Sequence, residues 1–73
     1  MEYGSPLPLA TLRKRKLLSQ RDLARKAGVA LSTVYLIEAG KTERVTFKVM
    51  RSVSEALGVA PEAIAEFRRA LDA

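Results

Sequence analysis

The chain has 73 residues, 48% apolar and 29% charged, the balance of one small folded domain spanning 1–73 and not of a disordered segment. It contains no cysteine and no histidine, so disulfide frameworks and zinc sites built on those ligands are excluded, and its formal charge is +5. The longest unbroken apolar run is Val34–Ile37, against about 20 residues for a membrane span. No basic segment leads into an apolar core after Met1-Glu2-Tyr3-Gly4, so a cytoplasmic location with no membrane attachment is expected.

The expected fold class is all-α, with five helices near 6–16, 20–27, 31–39, 47–57 and 61–71. The first opens at Ser5-Pro6, a capping residue before a proline at the first helical position, and carries Leu9 and Leu12 on one side. Ser19 opens the second, with Asp22 three residues on in a capping-box arrangement; Leu23, Ala24 and Ala27 share a face, and Gly28 ends it. In the third, Val34 and Ile37 point inward and Gly40 supplies the stop. Thr46 caps the fourth, where Phe47, Met50, Val53 and Leu57 form the expected inward line before Gly58. Pro61 starts the fifth, with Ile64, Phe67 and Leu71 aligned. No repeat and no stretch of period-2 alternation interrupts this series.

Charge is distributed unevenly along these segments. Residues 11–51 hold eleven Lys and Arg against Asp22, Glu38 and Glu43, whereas residues 52–73 carry a net −2. A basic block followed by a mildly acidic tail is the footprint of a polyanion binder, although solvated helix surfaces produce basic patches too.

The most specific signal lies inside that block, in QRDLARKAGVALSTVYLIEAG from Gln20 to Gly40. Two helices crossing steeply through a short turn need a small side chain where they touch, which Ala24 supplies. The turn needs a residue tolerant of positive φ, which Gly28 supplies. Val34 and Ile37 then seat the second helix on the first. An ordinary helical hairpin would meet any one of these requirements; the full set favours a helix-turn-helix.

LSQRDLARKAGVALSTVYLIEAGK, with LGVAPEAI further on, resembles the phage lambda repressor/Cro-like (XRE-type) helix-turn-helix family over about residues 9–67. The resemblance implies a compact five-helix domain that binds double-stranded DNA as a transcriptional regulator, usually a homodimer, with its third helix in the major groove. It implies that Ser32 and Leu36 read bases, with Leu31 at the front edge of the helix. Gln20 would bond a phosphate, and Lys41 and Arg44 would lie in the loop that tracks the backbone. It also implies a structural ion pair between Arg13 and Glu38; without it, Glu38 would have to turn to solvent.

Helical geometry places these positions sensibly. At about 100° per residue, with Val34 at zero, Ser32 and Leu36 fall near 160° and 200°, with Tyr35 and Thr33 on the two flanks. Base contacts are therefore expected from Leu31, Ser32, Thr33, Tyr35 and Leu36, and phosphate contacts from Ser19, Gln20, Lys41, Thr42 and Arg44. That outward face has no Arg, Asn or Gln, the bidentate partners of guanine and adenine, so modest discrimination with a lean toward A·T pairs is expected. Ala30 and Ala60 stand where a capping residue is usual, at a cost of about 0.5–2 kcal/mol each.

Ile64, Phe67 and Leu71 either contact a second subunit or close the monomer core. Glu62 and Glu66 read as a solvated i, i+4 pair, and with no nucleophile beside a base no enzyme activity, cofactor or metal is expected. The alternative function is a protein-binding module of the same fold, such as an antitoxin covering a toxin, for which an outward Tyr35-Leu36 pair would serve as a contact surface.

Overall fold

The computed structural model describes residues 5–72. Met1–Gly4 and Ala73, included in the expected domain and in the reading of the N-terminus, lie outside the described residues. Five α-helices follow one another: α1 (Leu9–Arg15), α2 (Gln20–Ala27), α3 (Leu31–Glu38), α4 (Phe47–Leu57) and α5 (Ala65–Asp72). Short 3₁₀ turns at Thr42–Arg44 and Pro61–Ala63 lie on either side of α4.

The first helix begins later than Ser5-Pro6 suggests. Leu7 precedes Pro8, and the residue before a proline is pushed out of the helical region. Leu7 instead runs extended beside Ile64 in an isolated parallel bridge. Its N–H donates to the Ala63 carbonyl at 3.0 Å, and its carbonyl accepts from Ala65 at 2.8 Å. Pro8 then stands at the cap position with no side-chain hydrogen bond. The orphan N–H of Leu9 finds an acceptor 57 residues away, Glu66 Oε1 at 2.9 Å. Glu66 is consequently buried, whereas a solvated carboxylate was expected; capping α1 offsets its desolvation. Glu62 is exposed.

The same bridge delays the fifth helix. Pro61 opens only the 3₁₀ turn, Ile64 is extended (φ −96°, ψ 118°), and α5 starts at Ala65. Ile64 and Phe67 are fully buried in the core, the second of the two roles left open for them, whereas Leu71 is exposed.

Four helices close in one way. The N–H groups of residues 17, 28, 40 and 58 donate back to Lys14, Arg25, Ile37 and Glu55, and those of the next residues to Arg13, Ala24, Leu36 and Ser54. These are Schellman closures, which require a left-handed residue. Gly28, Gly40 and Gly58 fill three such seats, but the fourth holds Leu17 at φ 59° with its side chain 91% exposed.

The core gathers Leu9, Leu23, Ala24, Val34, Ile37, Val45, Met50, Val53, Leu57, Ile64 and Phe67. From α4 it takes Met50, Val53, Ser54 and Leu57, the i, i+3, i+4, i+7 face. Ser54 is satisfied by donating to the Met50 carbonyl at 2.7 Å. Phe47, expected on the inward line, is 70% exposed. At about 100° per residue it lies about 70° from the centre of the buried face, in the first position of the helix, beyond the edge of the core.

Candidate nucleic-acid interface

α2 packs against α3, Ala24 of α2 is buried in the core, and the chain turns between the two helices at Gly28 with φ 71°. The start of α2 is held by a complete capping box. Ser19 Oγ accepts from the Asp22 N–H at 2.9 Å, and Asp22 Oδ2 accepts from the Ser19 N–H at 3.0 Å. The Ser19 N–H, then its hydroxyl, and more weakly Arg25, hold the Asp22 carboxyl below its ordinary value of 3.8, against a small opposing effect of burial.

α3 enters with no side-chain cap, as Ala30 dictates. Val34 and Ile37 are fully buried, and the opposite side faces outward. Ser32 and Tyr35 are exposed, while Leu31, Thr33 and Leu36 are half-buried at its margins. Leu36 also lines a shallow hollow with Lys41, Glu43 and Arg44 from the following loop. Lys41 and Arg44 are exposed and Thr42 is half-buried. The candidate base-reading residues and the candidate backbone-tracking loop therefore form one continuous surface.

A polar hub fixes the far end of α3. Glu38 Oε2 accepts from Arg13 Nε at 2.8 Å, and Glu38 Oε1 accepts from Arg13 Nη2 at 3.3 Å and from Gln20 Nε2 at 2.9 Å. Arg13 Nη1 donates to the Leu18 carbonyl at 2.9 Å. One carboxylate on α3 thus ties together α1, the α1–α2 turn and the first residue of α2. The bonds of Gln20 and of the Leu18 carbonyl were not legible in the chain, because no local pattern signals pairs 18 and 5 residues apart. Gln20, assigned to a phosphate, spends one amide proton on Glu38. Its second proton and its carbonyl remain, and the bond to Glu38 orients them.

The surroundings are electropositive. Lys14, Arg15, Lys16, Arg21, Arg25, Lys26, Lys41, Arg44, Lys48 and Arg51 are exposed. Among the described residues only Arg25 of this group pairs with a carboxylate, Asp22 at 3.6 Å. The uncompensated cations among them, carried on α1, α2, the loop after α3 and α4, make the exposed surface of this part of the chain electropositive. No helix of the described residues is long and apolar enough to cross a membrane.

Two short packed helices, a buried alanine on the first, a glycine turn between them and a second helix with its outward face uncovered define the DNA-binding helix-turn-helix class. The helix-turn-helix family model matches residues 9–64, well over half of the sequence, and the chain belongs to that family in its lambda repressor/Cro-like (XRE) form. No curated protein and no solved structure matches the chain.

Proposed function

We propose that this chain is a sequence-specific, double-stranded-DNA-binding transcriptional regulator that acts as a homodimer and inserts α3 into the major groove. The observation that carries the reading is the uncovered face of α3, continuous with the loop bearing Lys41 and Arg44 and braced from behind by the Arg13–Glu38–Gln20 hub. Ser32 and Leu36 face the base edges, with Leu31, Thr33 and Tyr35 at their flanks. Leu31 and Leu36 meet thymine methyls, and Ser32 and Thr33 bond base edges or phosphates. Ser19, Gln20, Lys41, Thr42 and Arg44 hold phosphates and set the register. An outward face without Arg, Asn or Gln reads by methyl contact and shape, so half-sites contain A·T pairs where α3 lies.

Selection of duplexes from a random pool, at low and at near-physiological salt, tests this. An inverted repeat with centres about 34–36 Å apart that survives the higher salt is the expected result. Retention only at low salt, with no enriched sequence, would reduce DNA to a non-specific polyanion partner and return the α3 face to the protein-binding alternative.

A further inference from the structure

We propose that Glu43 reads a cytosine at the edge of the stretch covered by α3, so that each half-site carries one C·G pair beside its A·T pairs. The inference deepens the reading above and rests on its placement of α3 in the major groove. Residues 11–51 hold three carboxylates among eleven cations, and two of the three are engaged inside the fold. Asp22 closes the capping box of α2, and Glu38 binds Arg13 and Gln20. Glu43 is exposed and, although Lys41 and Arg44 flank it in the chain, makes no ion pair among the described residues.

The turn that carries Glu43 is tied down on both sides. The Lys41 N–H donates to the Leu36 carbonyl at 2.9 Å, and the Val45 N–H donates to the Thr42 carbonyl at 2.9 Å. Val45 is buried in the core, and α5 packs against the Thr42–Arg44 turn. Glu43 shares a hollow of about 290 Å³ with Leu36, Lys41 and Arg44. Leu36 is assigned to bases, and Lys41 and Arg44 are assigned to phosphates. The free carboxylate therefore stands at the boundary between the two.

The chemistry of the carboxylate selects the base. An ionised carboxylate only accepts hydrogen bonds, and a phosphate offers acceptors and a negative charge, so the DNA backbone repels Glu43. Guanine and thymine turn acceptor atoms toward the major groove, whereas cytosine N4 and adenine N6 supply donors there. Adenine N6 stands beside the acceptor N7, which opposes a second carboxylate oxygen; cytosine presents N4 without such a neighbour. Cytosine is thus the base that suits Glu43. Lys41 and Arg44 in the same hollow lower the cost of bringing a negative charge to the duplex.

Duplex selection from a random pool, carried out with the 73-residue parent, Glu43→Ala and Glu43→Gln, tests the assignment. The parent should enrich a cytosine at one edge of each half-site. In titrations of labelled duplex, exchanging that C·G pair for A·T should weaken parent binding by about tenfold. Glu43→Ala should bind the two duplexes within about twofold of each other, so that protein and base changes are coupled and not additive. Glu43→Gln should prefer the A·T duplex, because an amide supplies the acceptor and donor that match adenine N6 and N7. Glu43 is exposed, so circular dichroism should report intact helices in both variants. Variants that bind every duplex more tightly than the parent by one common factor would make Glu43 a plain repeller of phosphates and overturn the proposal. A half-site whose every preference survives Glu43→Ala overturns it equally. The two readings fail differently: a parent that enriches no sequence defeats the DNA reading and this one with it, whereas an enriched half-site indifferent to Glu43 defeats this one alone.

Discussion

Replacing Glu38 by Ala removes the acceptor for three hydrogen bonds from two residues. Arg13 remains, with its side chain 10% exposed and the Leu18 carbonyl as its one remaining partner. Stranding one partner of a buried ion pair costs about 3–5 kcal/mol. The residual exposure of both side chains admits some water, which places the expected loss near the lower bound, about 3 kcal/mol. Total stability at about 0.05–0.15 kcal/mol per residue is about 4–11 kcal/mol for a chain of this length, so the loss removes between a quarter and three quarters of it. At about 4–8 °C per kcal/mol, Tm should fall by about 12–24 °C. Urea and thermal melts at pH 7, followed by helix circular dichroism, measure this, and the urea m-value should stay constant because the surface exposed on unfolding is unchanged. Arg13→Met combined with Glu38→Leu removes both charges together and should return to within about 1 kcal/mol of the parent, since apolar replacement of a whole buried pair is often neutral. A Glu38→Ala protein melting within about 3 °C of the parent would refute the reasoning and show that solvent, not Arg13, carries the carboxylate.

Three further outcomes are expected. Leu17→Gly relieves a left-handed Leu, worth about 1–2 kcal/mol, less the added freedom of Gly in the unfolded chain, so Tm should rise by about 3–6 °C; no gain would mean that the seat is unstrained. Asp22 titrates below its ordinary value in the folded state, so its contribution is complete above about pH 4 and is lost as pH falls through the folded pKa. The stability difference between the parent and Asp22→Asn should therefore shrink on acidification, and a difference independent of pH would contradict the capping box as its cause. Lys41→Ala and Arg44→Ala should each lower the salt dependence of duplex binding by about one phosphate contact without changing the preferred sequence, as read from titrations at several salt concentrations. A shifted preference would assign them to bases.

Local chemistry carries far in this chain. Ser19 with Asp22, Gly28, Gly40 and Gly58 mark helix ends by hydrogen-bonding and φ requirements that involve only neighbouring residues, so α2, α3 and α4 fall where the pattern puts them. The inward placement of Val34 and Ile37, and hence the outward placement of Ser32, Tyr35 and Leu36, follows from helical periodicity within eight residues. The tertiary structure decided what depends on distant partners. Glu66 has the spacing of a surface carboxylate, and only the approach of Leu9 turns it into a buried cap. Ile64 and Phe67 align with Leu71 on one face, yet the bridge to Leu7 draws the first two inward and leaves the third in solvent. Phe47 shares the apolar character of α4, but its place at the end of the core exposes it. Periodicity specifies which side of a helix is apolar; how far along the helix the core extends, and which remote group meets each end, is set by packing among all five.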